Sequence, residues 1–282
     1  MLQLWDILRG ELPPHQVPFL AEDRPDGERR RHLALVLAYR GEGFAGWQLQ
    51  PRARTLQGEL ETVLSRLCDQ PVRLVASGRT DAGVHALGQV AHFSTTSRLS
   101  LERMSRGIRS LLPEGVHLRK LGPVAPEFHA RYQARAKTYL YYLRPGGGPR
   151  LFLQGHAWCL ETELNPEPVR RALELLPGER DLAALASHGY EGKGGTSRRI
   201  FQAGLELEPG GLWRVQITAD GFLRHAVRNL VGILSQVGSG RLAPEDLMEM
   251  LVAGRRLHAG PKAPPQGLYL ARVYYRDYPQ RP

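Results

Sequence analysis

The sequence contains very little cysteine. Cys68 and Cys159 are the only two cysteines among its 282 residues. Two isolated thiols make neither a disulfide framework nor a cysteine-rich zinc site. We therefore expect both to be small, buried apolar side chains in a reducing compartment, which indicates the cytoplasm.

Long apolar runs are also absent. No stretch of about 18 apolar residues occurs, so the sequence predicts no transmembrane helix and no membrane partner. The first residues do not resemble a secretory signal, because a basic start is lacking and Asp6 and Arg9 interrupt the apolar positions.

Lysine is scarce, although the chain is strongly basic. It has 38 lysines and arginines against 28 acidic residues and a formal net charge of +10. Only Lys120, Lys137, Lys193 and Lys262 are lysines, so arginine, whose planar fork suits phosphate, supplies the rest. The charge favours a nucleic-acid partner. A GC-rich genome would also enrich arginine, and a basic balance can affect solubility alone.

The chain is predicted to contain an N-terminal extension and two domains. Residues 1–31 contain four prolines and a charged run and suggest no chemistry, although 2–8 could form a short helix. We assign 32–134 and 135–282 to two successive domains of similar element order.

Both domains are predicted to have a β-α-β-β-α-β order. In the first, hydrophobic periodicity predicts strands at 33–39, 72–76, 89–95 and 116–121 and helices at 56–67 and 101–111. Thr55 and Ser100 are the expected N-caps of the two helices. In the second, it predicts the same order with one extra helix, at 244–252, and the other elements at 138–143, 166–176, 200–207, 213–219, 222–237 and 267–275. This is the split βαβ, or ferredoxin-like, arrangement, so we expect an α+β protein with two ferredoxin-like halves.

The densest polar segment of an otherwise apolar region is 77–85, which reads SGRTDAGVH between two predicted strands. Gly78 and Gly83 permit unusual backbone conformations or close approach of a ligand. Arg79 can neutralise Asp81 or bind phosphate, and an aspartate beside a cation stays ionised and can act as a nucleophile. Judged by residue types alone, a structural turn is the better interpretation.

Other chemistries fit this segment less well. Ser77, Asp81 and His85 lack the G-x-S-x-G surroundings of a hydrolase elbow. The spacing of Asp81, His85 and His92 matches no common metal site, and the glycines match neither a P-loop nor a dinucleotide fingerprint.

Residues 77–93, SGRTDAGVHALGQVAHF, closely resemble the signature of the tRNA pseudouridine synthase A family. Further segments resemble that family in the same order: FAGWQ at 44–48, FHARY at 128–132, KTY at 137–139, VRNLVG at 227–232 and GLYL at 267–270. The resemblance covers about residues 33–275. Two positions depart from the family: Arg40 stands where many members have an acidic residue, and Arg199 where threonine is frequent.

The resemblance implies isomerisation of uridine to pseudouridine at positions 38, 39 and 40 of the tRNA anticodon arm. It implies a pseudouridine-synthase-type mixed or antiparallel sheet with a central cleft, no cofactor or metal, and a homodimer in which one tRNA touches both subunits. By resemblance, Asp81 is the nucleophile, Tyr139 stacks on the target uracil and Arg228 pairs with Asp81. Candidate RNA contacts are Arg79, Arg52, Arg54, Arg106, Arg109, Lys193, Arg198 and Arg199.

Less specific interpretations stay open at this point. Tyr139 lies in a strand, where a tyrosine is usually a packed core residue. Arg228 lies opposite the apolar stripe of its helix, which is typical of a solvated face. A ferredoxin-like RNA-binding module has the same composition and element order, but it does not account for the segment around Asp81. A metal-dependent hydrolase lacks clustered ligands.

Overall fold

The computed structural model describes residues 16–23, 30–147, 151, 153–187, 195–258 and 260–276. These residues form two compact units. The N-terminal unit comprises the described residues of 16–135 and 270–276, and the C-terminal unit those of 136–269. The helix predicted at 2–8 lies outside the described residues.

The N-terminal unit has the predicted β-α-β-β-α-β order. Its elements are β1 (Arg31–Tyr39), α1 (Leu56–Cys68), β2 (Val75–Ala76), β3 (His85–Thr95), α2 (Leu101–Leu111) and β4 (Val116–Pro123). Strand β1 pairs antiparallel with both β3 and β4, and β2 pairs antiparallel with β3. Residues 33–37 of β1 are fully buried, so this strand forms the centre of the unit's core.

Both predicted N-caps of this unit are confirmed. The Thr55 hydroxyl accepts a hydrogen bond from the backbone N–H of Gly58, and the Ser100 hydroxyl accepts one from Arg103. Each cap satisfies a donor of the first helical turn that has no partner within the helix.

The C-terminal unit contains more strands than predicted. Its elements are β5 (Ala136–Arg144), β6 (Trp158–Cys159), α3 (Pro166–Glu174), β7 (Gly178–Asp181), β8 (Ser197–Glu208), β9 (Leu212–Ala219), α4 (Ala226–Gly238) and α5 (Pro244–Ala253). The strands follow the order β5-β9-β8-β7 with antiparallel pairing, and β6 lies parallel to β5. The last strand, β10 (Leu268–Tyr274), begins in this unit and continues into the N-terminal one.

Three features of the C-terminal unit differ from the prediction. Strands β6 and β7 were not predicted, because two and four residues are too few to show an alternating pattern. Helix α4 begins at Ala226 instead of residue 222. His225 takes a left-handed conformation with φ 66°, so the helix cannot extend back through it.

The α+β class is confirmed, with ten strands and five α-helices among the described residues. In that part of the chain, no helix combines the length and the apolar character needed to cross a bilayer.

Candidate active site

The segment predicted to carry the chemistry forms the loop from residue 77 to 84 between β2 and β3. Within it, the backbone N–H of Val84 donates to the carbonyl of Asp81 at 3.1 Å. Gly83 has a φ of 77°, a conformation that side chains disfavour. Asp81 therefore begins a tight turn that leads directly into β3.

The loop packs closely against residues 41–47, which include the first four residues of the FAGWQ segment. The N–H of Trp47 donates to the carbonyl of Thr80 at 3.0 Å. Gly46 has a φ of 90°, and a Cβ there would lie 2.8 Å from the Thr80 carbonyl oxygen and 3.0 Å from the Ala82 nitrogen. Two of the resembling segments are therefore in contact, and the contact requires glycine at position 46.

A buried polar network holds the other side of the loop. The Tyr39 hydroxyl lies 2.8 Å from the Thr80 hydroxyl, and both groups are buried. The Gln89 amide nitrogen donates to the carbonyl of Gly78 at 2.9 Å, while its oxygen accepts from the Ser77 hydroxyl at 2.8 Å. Burial raises the pKa of Tyr39 to about 12, although its hydrogen bonds to Thr80 and Gln89 oppose the rise.

The side chains of the loop divide into two groups. Ser77 and Thr80 are buried within the network, whereas Arg79 is exposed and Asp81 is partly buried. A catalytic group must reach its substrate, so Arg79 and Asp81 are the candidates of this loop.

The hydrolase and metal interpretations of this segment lack support. Ser77 is 0% exposed and His85 1% exposed, so neither could meet a substrate as part of a triad. The Nδ1 atom of His85 accepts the backbone N–H of Gly41. Among the residues that the structure describes, no group of three histidine, cysteine or acidic side chains could hold a metal ion.

The FHARY segment packs beside β3 in the same unit. The N–H of Ala130 donates to His92 Nδ1 at 3.2 Å, and the rings of His92 and His129 lie 5.0 Å apart. Burial, with smaller effects from the nearby His129 and His32, lowers the pKa of His92 to about 4. His92 is thus a neutral hydrogen-bond acceptor at pH 7, and its role is to hold the FHARY segment against β3.

Tyr139 differs from its tyrosine neighbours in β5. Tyr141 and Tyr142 are almost completely buried, whereas Tyr139 is half-buried. The Tyr139 ring contacts Phe222 edge to face, with 5.1 Å between ring centroids and 84° between planes. The contact with Phe222 supports the ring from one side, and the partial exposure leaves part of its surface accessible.

Arg228 is buried, which rules out the solvated face that helical periodicity allowed. Only 7% of the residue is exposed, and its Nε donates to the carbonyl of Ala263 at 2.7 Å. The N–H of Ala263 in turn donates to the carbonyl of Arg228. Residues 260–264 lie against α4, and a Cβ at Gly232 would overlap the Pro261 carbonyl. Periodicity could not reveal this, because the covering segment is non-helical and about thirty residues away in sequence.

The other basic candidates lie on the surface and several are already in ion pairs. Arg54 pairs with Glu59 at 2.7 Å, and Arg106 with Glu102 at 2.5 Å. Arg52, Arg109 and Arg199 are exposed, and Arg198 is partly buried and donates to nearby carbonyls. Lys193 lies outside the described residues. Arg40, one of the two departures from the family, pairs with Glu114 at 3.1 Å.

Sequence reasoning missed the residues that support the loop. Tyr39, Thr80 and Gln89 were not singled out, although each contacts another of the three. One signal was available: Gln89 is a polar residue in a strand whose neighbours are apolar, and such a residue needs hydrogen-bond partners when buried.

Known proteins are similar to this chain over most of its length. It matches the family described as tRNA pseudouridine synthase over residues 35–133 and 172–276. It is 40% identical to tRNA pseudouridine synthase A of Geobacter sulfurreducens over 245 residues, covering 87% of this chain and 100% of that protein. The protein of the same name from Neisseria gonorrhoeae is 38% identical over 255 residues, covering 90% of this chain and 94% of that one.

The ranges that match the family include Asp81 and Arg228, and Tyr139 lies between them. A chain of the solved Cbf5-Nop10-Gar1 complex aligns with a TM-score of 0.31 and 9% identity, over 72% of this chain and 54% of that chain. That similarity is too low to bear on fold or function.

Proposed function

Because this chain belongs to the tRNA pseudouridine synthase family, we propose that it isomerises uridine to pseudouridine at positions 38, 39 and 40 of the tRNA anticodon arm. Asp81 is the proposed nucleophile. The observation that carries the proposal is the loop 77–84: it is held from two sides, yet it leaves a carboxylate partly exposed.

The reaction rearranges bonds without a change in oxidation state. The bond between ribose C1′ and uracil N1 breaks, the base rotates, and a bond forms between C1′ and C5. N1 gains a hydrogen and C5 loses one, so the atoms balance without an external oxidant or reductant. A carboxylate can assist by covalent attack that divides one difficult step into two easier ones.

Arg228 is proposed to pair with Asp81. A guanidinium keeps its charge in proteins, and a nearby positive charge favours the ionised form of a carboxylate. The bond from Arg228 to the Ala263 carbonyl fixes part of the guanidinium, which supports a role in orientation. Arg228 would therefore keep the nucleophile charged and directed at its target.

Tyr139 is proposed to stack on the target uracil. A base inside a folded RNA arm must leave its stack before C1′ and C5 can be rearranged, and an aromatic ring can replace the stacking that is lost. The partial exposure of Tyr139 and its edge contact with Phe222 suit such a surface. Stacking of this kind is worth about 1–3 kcal/mol per base.

Exposed arginines are proposed to bind the phosphate backbone. Neutralised phosphates release counterions, so this part of RNA affinity depends on salt. The candidates are Arg52, Arg54, Arg79, Arg106 and Arg109 in the N-terminal unit, Arg198 and Arg199 in the C-terminal unit, and Lys193 outside the described residues. We further propose a homodimer as the working form, as the family resemblance implies, and a cytoplasmic location, which the scarcity of cysteine favours.

The proposal is tested with an unmodified tRNA transcript that has uridine at positions 38, 39 and 40. The transcript is incubated with the purified protein in the presence of a chelator, and pseudouridine is then mapped along the RNA. We expect modification confined to the anticodon arm and unaffected by the chelator. RNA binding without any pseudouridine would favour an RNA-binding module, and loss of turnover with the chelator would favour a metal-dependent enzyme.

A further inference from the structure

We propose that Gln89 and Tyr39 are positioning residues, which hold the loop so that the Asp81 carboxylate is oriented before RNA binds. This inference rests on the function proposed for Asp81. It assigns a role to two residues that are too buried to meet an RNA substrate directly, and it makes the polar network a part of the catalytic apparatus.

Both the oxygen and the nitrogen of the Gln89 amide make two hydrogen bonds each. Its oxygen accepts from the Ser77 hydroxyl at 2.8 Å and from the Val90 N–H at 3.2 Å. Its nitrogen donates to the Gly78 carbonyl at 2.9 Å and to the Tyr39 hydroxyl at 3.4 Å. The residue is 0% exposed, so no water competes. With two bonds accepted and two donated, the amide has one favourable orientation.

That orientation fixes the hydrogen bond to Tyr39, whose hydroxyl connects the amide to Thr80. An amide nitrogen can only donate, so the Tyr39 oxygen accepts from Gln89. The Tyr39 and Thr80 hydroxyls share a further hydrogen bond of 2.8 Å, in which either hydroxyl can donate. The carbonyl of Thr80 is meanwhile held by the N–H of Trp47. Thr80 is thus anchored through both its side chain and its backbone, and it is the residue immediately before Asp81.

Hydrogen bonds therefore hold the chain both before and after the Asp81 side chain. Gly78 and Thr80 are held before it, and the carbonyl of Asp81 itself accepts the N–H of Val84. Such a network is not needed for stability alone, because replacing buried hydrogen-bonded partners by apolar groups of the same shape can be nearly neutral. Directional bonds instead define one arrangement, which is what a reacting group requires.

The test compares two variants that each remove one hydrogen-bonded tyrosine hydroxyl from the same unit. Tyr39→Phe breaks the network, whereas Tyr275→Phe removes the bond from the Tyr275 hydroxyl to the Ala130 carbonyl at 2.7 Å. We expect Tyr39→Phe to lower kcat by about 10- to 100-fold, the effect of a slightly misplaced group. The KM for tRNA should stay within about twofold. Tyr275→Phe should keep the wild-type kcat, even if its melting temperature falls as much as that of Tyr39→Phe.

Variants of Thr80 supply the rescue control. Thr80→Ser keeps the hydroxyl and should keep most of the turnover, whereas Thr80→Val keeps the shape and should lose turnover as Tyr39→Phe does. A Tyr39→Phe enzyme with kcat within twofold of an active wild type would overturn the positioning role. A wild type that makes no pseudouridine would instead refute the proposed function, so the two failures are distinct.

Discussion

Among single residues, Arg228 places a positive charge inside the C-terminal unit. A guanidinium remains charged, and desolvating it costs free energy that only hydrogen bonds and opposite charge can offset. The side chain is nevertheless 7% exposed and bonded to the Ala263 carbonyl. Its charge also acts on Tyr141: burial raises the pKa of the Tyr141 hydroxyl, and the positive charge of Arg228 offsets part of that rise.

Replacing Arg228 by methionine tests the proposed pairing with Asp81. Methionine fills a similar volume, so we expect the fold to persist with a loss of about 1.5–3 kcal/mol for the charged hydrogen bond. Turnover should fall by at least about 100-fold, as when a charge-stabilising donor is removed. Arg241→Met, at an exposed position of the same unit, is the control. Circular dichroism and single-turnover rates report the two effects, and unchanged turnover in Arg228→Met would remove the residue from the site.

At the scale of elements, the main feature is the docking of loop 77–84 onto residues 41–47. Gly46 makes it possible, because its φ of 90° and its missing side chain allow the two backbones to approach. Gly43 also has a positive φ, of 78°, but nothing lies within 4 Å of its Cβ position. A substitution at Gly43 therefore measures the free energy of the backbone conformation alone, and one at Gly46 measures that free energy together with the close contact.

Alanine at each position gives a direct comparison. Both variants should lose about 1–2 kcal/mol from the left-handed conformation. Gly46→Ala should lose about 1–3 kcal/mol more, because its Cβ overlaps the Thr80 carbonyl, and it should also lower turnover. Urea unfolding and pseudouridine rates measure both. Equal losses of stability in the two variants would contradict the role of this contact.

The sequence predicts elements well where their patterns are long. The strand at 33–39, both N-caps and every α-helix of the described chain were predicted, because periodicity and capping are local properties. The burial of Arg228 and the links from Tyr39 to Thr80 and from Ser77 to Gln89 were not predicted. They depend on which elements pack together, and the strands β6 and β7 are too short for any pattern.

The contact between His92 of β3 and the FHARY segment depends on pH. The pKa of His92 is about 4 in the folded chain against an ordinary 6.5, so between these values the unfolded chain binds a proton that the folded chain excludes. The stabilising contribution is therefore complete above about pH 6.5 and declines as the pH falls towards 4.

His92→Asn should lessen that decline. Asparagine retains an acceptor for the N–H of Ala130 but cannot be protonated in this range. We expect the melting temperature of the wild type to fall more than that of His92→Asn between pH 7 and pH 4.5. Parallel curves would show that His92 does not contribute to the acid sensitivity.

For the whole molecule, charge is the governing property. A formal net charge of +10, carried mainly by arginine, suits a polyanionic partner such as tRNA. Part of this charge is engaged in surface ion pairs, such as those of Arg54 and Arg106. Exposed ion pairs are weak, so a phosphate can compete for these side chains.

The affinity for tRNA should depend strongly on salt. We expect binding to weaken by at least about tenfold between 50 and 200 mM salt, since several phosphates are neutralised at once. Arg109→Ala should reduce the slope of log affinity against log salt by about 1, whereas Arg256→Ala, outside the proposed track, should not. Fluorescence anisotropy gives these slopes, and a slope independent of Arg109 would exclude that residue from the track.

The most direct test of the central claim is the turnover of Asp81→Asn on unmodified tRNA, beside Asp69→Asn as the matched control. Asp69 is exposed at the end of α1 in a left-handed conformation that asparagine also tolerates. If Asp81 is the nucleophile, its asparagine variant should bind tRNA normally but lose at least about 1,000-fold in the single-turnover rate, and Asp69→Asn should retain wild-type activity. An Asp81→Asn enzyme that forms pseudouridine at the wild-type rate would contradict the account.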